Sequence, residues 1–179
     1  MKKQFKLLFL VMFTASFAWP FPLSYSAQIR RHDGDGFLAL NNLHLHEFLA
    51  LQYKKNGRFD KSALRQINHT LRCRQTHKVH EISPELVELV DKIQDHFGAK
   101  EVLVISGYRS PELNADLKKK GHKVANRSLH MQGEAMDIRI AGVSAKELRE
   151  YALSLKKGGV GFYPGNGFVH VDVGRVRQW

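Results

Sequence analysis

Two short segments in the C-terminal half of the chain carry side chains that could bind a metal or move a proton. In Ser128-Leu129-His130-Met131-Gln132-Gly133-Glu134-Ala135-Met136-Asp137-Ile138 a histidine stands seven residues before an aspartate. Gly133 permits a tight turn between them. Beyond that turn, Met136, Ile138 and Ile140 alternate with Ala135, Asp137 and Arg139. This is the period-two pattern of a half-buried strand, so Asp137 projects opposite the apolar face. In Phe168-Val169-His170-Val171-Asp172-Val173 the same alternation sends the three valines one way and His170 and Asp172 the other. If the two strands are neighbours, Asp137 and His170 converge, and the intervening loop can bring His130 over them. Two imidazoles and a carboxylate make a three-ligand set for zinc with the fourth position open, as in catalytic rather than structural sites. Spacing alone leaves a plainer use standing beside this one, in which Asp137 and Asp172 merely pair with nearby arginines.

Other reactive side chains invite less. His44, His46, His77 and His80 fall in polar stretches, and His69, His96 and His122 lie on or near polar helix faces. A solvated ring is the expectation for each. Cys73 is the one cysteine, which excludes an intramolecular disulfide framework and Cys-rich zinc fingers, and its place on a helix predicts a packed side chain.

Positioning the two segments requires a framework, and the chain supplies one. Phe37–Leu40 and Glu47–Tyr53 read as strands, with turn chemistry at Asn41-Asn42. Ala63, Leu64, Ile67 and Leu71 recur at helical spacing and predict an amphipathic helix over about 60–73. Ser83 can cap a second helix with Pro84 at its first position, Leu86, Leu89, Val90, Ile93 and Phe97 on one face, and Gly98 at its end. Val102–Ile105 is a short apolar run of the kind found in buried strands, and Ser110-Pro111-Glu112 opens a helix that stops at Gly121. Ser144 and Glu147 form a capping-box pattern for a helix over about 145–156, and strands follow at Val160–Tyr163 and Phe168–Val173. Most helices precede the C-terminal strands. The expectation is a single α+β domain, with a small, mostly antiparallel sheet flanked by helices and the metal site on the sheet face.

The chain has 179 residues with a formal net charge of +11, 43% hydrophobic and 25% charged residues. That composition argues against a disordered, collagen-like or multi-span membrane protein. Lys2, Lys3 and Lys6 precede an uncharged run from Leu7 to Trp19, the pattern of an export signal and too short for a comfortable membrane span. Cleavage near Ala27, or alternatively after Ala18, gives a signal peptide over 1–27 and a domain over 28–179, with no stable membrane span after cleavage. Residues 1–27 hold three lysines and no acid, so +11 falls to +8 in the remainder. Export, and the lack of aromatics interleaved with basic residues, argue against nucleic acid as partner. An anionic lipid surface and an anionic wall polymer remain open.

Residues 101–179 resemble the zinc-dependent D-Ala-D-Ala-type peptidases, within the superfamily that includes lysostaphin and the Hedgehog signalling domain. The motifs that carry the resemblance are Ser106-Gly107-Tyr108-Arg109-Ser110, Ser128-x-His130 with Asp137, Gly159-Val160-Gly161-Phe162-Tyr163-Pro164 and Phe168-Val169-His170-Val171-Asp172-Val173-Gly174. The resemblance implies one Zn2+ ion on His130, Asp137 and His170, and a periplasmic hydrolase. Its implied substrate is the peptide stem of peptidoglycan, at cross-links joining two diaminopimelate residues, cut by a metal-activated water. Arg109 is then the group that stabilises the developing oxyanion or binds substrate, the alternative being a surface arginine paired with Glu112. Ser128 would bond a substrate carboxylate or support the His130 loop, and Tyr163 would line the cleft or join the core. Several family members carry an acid three residues before the last zinc-binding histidine, or a histidine two before it. Here Gly167 and Phe168 stand at those positions. Asp172 is therefore the first candidate for the general base or else a carboxylate that orients a ligand, and Glu134 the second candidate base. A non-catalytic peptidoglycan-binding module on the same zinc scaffold, or a D,D- or L,D-carboxypeptidase, are the alternative functions.

Overall fold

The computed structural model describes residues 34–122 and 124–179, so the leader expected over 1–27 lies outside the described residues. Strands β1 (Phe37–Asn42) and β2 (Glu47–Gln52) form an antiparallel hairpin, followed by the two-residue strands β3 (Lys54–Lys55) and β4 (Arg58–Phe59). Helices α1 (Lys61–Thr70) and α2 (Pro84–His96) lead to β5 (Val102–Ser106), and α3 (Pro111–Lys119) to a 3₁₀ turn at Leu129–Gln132. The chain closes with β6 (Ala135–Arg139), α4 (Ala145–Ser154), β7 (Gly159–Tyr163), β8 (Phe168–Asp172) and β9 (Arg177–Gln178). Seven strands make one sheet in the order β2-β1-β5-β6-β8-β7-β9, and the pairings are antiparallel except β1 with β5 and β7 with β9. The α+β expectation holds.

Local chemistry explains the boundaries. Asp60, Ser83, Ser110 and Ser144 cap the four helices by accepting backbone N–H groups, and Ser144 with Glu147 completes the capping box. The turn in the first hairpin differs from the expectation. Asn41 and Asn42 remain in β1, and the Asn42 side chain makes the turn by accepting from the N–H groups of His44 and Leu45. Strand β9 has no apolar alternation of its own and exists through its pairing with β7.

One core unites the elements. Leu38 and Leu40 of β1, Val102 and Val104 of β5, Met136 and Ile138 of β6 and Val169 and Val171 of β8 are buried together with Leu86, Val90 and Ile93 of α2 and Leu148 of α4. Each such side chain contributes about 1.5–3 kcal/mol of burial. Cys73 is fully buried in this cluster, a packed side chain as expected, but it lies beyond the end of α1 at Thr70 rather than on the helix. Because the sheet alternates, burying Met136, Ile138, Val169 and Val171 drives Asp137, His170 and Asp172 to the opposite face. No described helix is long and apolar enough to cross a membrane.

Candidate metal centre

Strand register does most of the assembly. In the β6–β8 ladder Asp137 lies directly across from His170 and Ala135 across from Asp172. The 3₁₀ turn at Leu129–Gln132, ended by Gly133 at φ 70°, folds His130 back over this pair. His130 Nε2 and Asp137 Oδ1 are 3.2 Å apart, His130 Nε2 and His170 Nδ1 3.2 Å, and His170 Nδ1 and Asp137 Oδ1 3.0 Å. The three side chains meet as the spacing predicted, and all are buried.

The far side of each ring fixes its tautomer. The Gly107 carbonyl can only accept, so His130 Nδ1–H donates to it at 2.9 Å. His170 Nε2–H donates to Asp172 Oδ2 at 3.0 Å. With both distal nitrogens carrying protons, each ring in its neutral form turns a lone pair toward the Asp137 oxygen, and three acceptors then face one another at 3.0–3.2 Å. Lone pairs so arranged repel unless a positive charge sits among them. Ligands at about 2.0–2.1 Å from a tetrahedral ion lie about 3.3 Å apart, so the donor set and its dimensions fit zinc. Ring partners of this kind are the usual support for metal-binding histidines.

Electrostatics divides the group. Burial lowers the His130 pKa despite the nearby Asp137 charge. Burial would raise Asp137, but His130 and His170 outweigh it and hold its carboxyl well below the usual range. His170 is moved by burial in one direction and by Asp137 and Asp172 in the other, and the carboxylates prevail, raising it.

Asp172 is fully buried and saturated. Its Oδ1 accepts from the N–H groups of Gly159 (2.8 Å) and Gly174 (3.0 Å) and from Arg177 Nη1 (3.1 Å). Its Oδ2 accepts from His170 and from Arg177 Nη2 at 2.7 Å. These donors overcome the effect of burial and hold it far below the ordinary carboxylate range. Glu134 lies elsewhere, lining a separate hollow with Ser83, Glu88 and Lys92. Arg109 is buried, with Nη2 3.5 Å from Asp137 Oδ2 and with Nε lacking a hydrogen-bond partner. It does not pair with Glu112, which binds Lys78 instead. Both arginine pairings weighed for Asp137 and Asp172 thus exist, alongside the histidine cluster rather than in place of it.

A cavity of about 410 Å³ opens over the three ligand-type side chains, lined also by Arg109, Ser128 and Tyr163. The family model described as peptidoglycan L,D-endopeptidase MepK matches residues 31–179. The chain belongs to this family. It is 38% identical over 143 residues to the peptidoglycan L,D-endopeptidase MepK of Escherichia coli (strain K12), a match covering 79% of each chain. It is 37% identical over 144 residues to the probable peptidoglycan L,D-endopeptidase MepK of Haemophilus influenzae, covering 79% of this chain and 77% of that one. No solved structure matches it significantly. Membership of the MepK family bears out the resemblance to zinc peptidases read from the motifs and makes the chain a hydrolase of a metallopeptidase family.

At the two positions where the resemblance leads one to look for an acid or a histidine, this MepK family member has backbone and aromatic surface. Gly167 ends a 3₁₀ turn at φ 68°, and Phe168 stacks on Tyr163 with ring centroids 4.6 Å apart. The Tyr163 hydroxyl accepts from Trp179 Nε1 at 3.0 Å, which leaves its own proton to donate. Ser128 is buried at the start of the His130 turn, and its carbonyl accepts from Met131 N–H. Sequence reasoning gave no role to the Gly107 carbonyl, Arg177 or the Trp179 ring, whose centroid lies 5.1 Å from that of His170. Only the Ser106–Ser110 motif hinted at the first. The other two reach the site through the β7–β9 pairing.

Proposed function

We propose that the chain is an exported, zinc-dependent peptidoglycan endopeptidase that cuts peptide cross-links, the link between two diaminopimelate residues being its substrate. The observation that carries this reading is the triangle of three facing acceptors, His130 Nε2, His170 Nδ1 and Asp137 Oδ1, each 3.0–3.2 Å from the others, in a chain of this family. The relatives, named as peptidoglycan L,D-endopeptidases, supply the peptidoglycan substrate to this reading. The basic leader and the family match that starts at residue 31 support export.

His130, Asp137 and His170 hold the ion. When bound, zinc acidifies a water and polarises a carbonyl. Arg109 presents fixed guanidinium donors toward the cavity, where they receive the negative charge that develops on the scissile oxygen. The Tyr163 hydroxyl donates to the bound peptide. Asp172 acts as a positioning residue: five donors occupy its two oxygens, and it keeps His170 Nε2 protonated so that Nδ1 faces the ion. Ser128 supports the His130 turn at the cavity wall. Arg74, Arg109, Arg127 and Arg177 line the cavity against one carboxylate, Asp137. That balance suits a substrate rich in carboxylates, such as a stem carrying diaminopimelate.

The test is digestion of isolated sacculi by the purified protein with zinc, with chromatographic identification of the products. Loss of cross-linked muropeptides joined through two diaminopimelates is expected. Release of no new muropeptides overturns the endopeptidase reading, and trimming of free stems alone makes the chain a carboxypeptidase.

A further inference from the structure

The stretch Gly159-Val160-Gly161-Phe162-Tyr163-Pro164 supplies no metal ligand, yet its strand β7 runs beside β8. Val160 is buried in the core, so Gly159 and Gly161 face the other side of the sheet, where Gly161 lies directly across from His170. Neither glycine has a positive φ, so conformation does not require them. Space does. A Cβ on Gly159 would stand 2.5 Å from Arg177 Nη1 and from Asp172 Oδ2. One on Gly161 would stand 2.7–2.9 Å from three atoms of the Trp179 indole. The two bare positions are seats for side chains that β9 and the residue after it lay across β7.

Backbone and ring contacts fasten Trp179 in its seat. Its N–H donates to the Val160 carbonyl at 3.3 Å, and its carbonyl accepts from Phe162 N–H at 2.9 Å. The Arg177 guanidinium, itself forked onto Asp172, lies over the indole at 4.9 Å from the ring centroid. Trp179 is nonetheless 49% exposed on the cavity wall, so these contacts fix a side chain that the core does not use.

The indole N–H shows what the fixed ring does. It can only donate, whereas a tyrosine hydroxyl has one proton and two lone pairs. Trp179 Nε1 therefore occupies a lone pair of the Tyr163 hydroxyl, at 3.0 Å. The stack on Phe168 holds the Tyr163 ring, so the oxygen has a fixed place and the torsion of its O–H is what remains to be set. A donor on one side of that oxygen sends the proton to the other. A hydroxyl that accepts is also a stronger donor.

We propose that Trp179 is a positioning residue for peptide hydrolysis: seated over Gly161, its indole N–H holds the Tyr163 hydroxyl so that the tyrosine proton is presented to the substrate in the cavity. This rests on the reading above in which Tyr163 donates to the bound peptide.

A double-mutant cycle tests it, with zinc-loaded wild type, Trp179→Phe, Tyr163→Phe and the double variant compared by initial rate of muropeptide release from sacculi. Trp179→Phe keeps an aromatic ring against Gly161 and Arg177 and removes the N–H donor. Each single variant is expected to slow release about 3–10-fold with zinc content unchanged, and the double variant to be no slower than Tyr163→Phe. Losses that multiply in the double variant, or a Trp179→Phe as fast as the wild type, overturn the proposal. The second readout does not need turnover. In isotope-labelled, zinc-loaded protein carrying Trp19→Phe, Trp179 is the one tryptophan, and its indole N–H gives a single resonance. Monomeric muropeptides from muramidase-digested sacculi are expected to move that resonance when Tyr163 is present and to leave it in place in Tyr163→Phe. A resonance that ignores muropeptides, or follows them equally in Tyr163→Phe, overturns the proposal. A wild type that releases nothing from sacculi overturns the endopeptidase reading instead, and the resonance then decides the role of Trp179 by itself.

Discussion

Asp137 and Asp91 are both buried carboxylates within groups of three ligand-type side chains, yet their protonation is driven in opposite directions. Asp137 faces two imidazoles and sits near the Arg109 guanidinium, and its carboxyl is held far down. Asp91 faces Asp95 and Asp35, and burial, the like charge of Asp95 and that of Asp35 raise it to about 7 against the hydrogen bonds from Tyr53 and Gly36. Burial alone therefore sets neither the charge of an aspartate nor its use. Mixed nitrogen and oxygen donors backed by hydrogen bonds to the distal nitrogens make a borderline-soft site, whereas the Asp91 and Asp95 carboxyls hydrogen-bond each other around a shared proton.

The sharpest way to break the comparison is to delete a ligand on the nitrogen side. His130→Ala is expected to lower turnover on sacculi by on the order of a thousand-fold or more and to leave less than one zinc per chain, measured by muropeptide release and by metal analysis. A variant that retains both would remove His130 from the ligand set. Arg109→Met should come next, lowering kcat on the order of 10²–10³-fold with zinc content unchanged, since it removes donors to the developing oxyanion. A change confined to KM would assign Arg109 to ground-state binding instead. Asp172→Asn is expected to weaken zinc binding about 10–100-fold and to restore much of its activity when zinc is in excess. Loss of turnover with zinc fully bound would return Asp172 to the role of proton carrier.

The two regions also differ in how much of them could be read from the sequence. The zinc-type trio was legible because strand alternation is a local pattern: Met136 and Ile138 mark one face, Val169 and Val171 another, and the polar remainder is left to converge. The helices were legible through their caps at Ser83, Ser110 and Ser144. The carboxylate trio left no such mark. On α2 the apolar spacing picks out Leu86, Leu89, Val90 and Ile93, and Asp91 and Asp95 look like ordinary polar positions until the entry to β1 covers them. Their burial depends on backbone N–H groups more than fifty residues away, which no side-chain pattern encodes. The Gly107 carbonyl behind His130 and the Arg177 fork on Asp172 were hidden for the same reason, being contacts of backbone or of a two-residue strand.

The smallest expected effect is on stability, and it tests the charge difference from the other side. With divalent cations chelated, the folded Asp91 titrates near 7 whereas in the unfolded chain it titrates at about 3.9. Between those values the native state holds a proton that the unfolded state has released, so stability falls as pH rises from about 4 to about 7 and levels off above. Asp137 runs the other way: its folded carboxyl lies below the unfolded value, so its contribution is present at neutral pH and is lost only as acid is added. Thermal unfolding of the chelated protein across pH 5–8 should therefore show Tm declining by several degrees toward pH 8. Asp91→Asn should flatten that decline, because an amide keeps an acceptor for Gly36 and Tyr53 and has no proton to lose. A slope unchanged by Asp91→Asn would mean that Asp91 carries its charge as readily as Asp137 does, and the opposition between the two clusters would collapse.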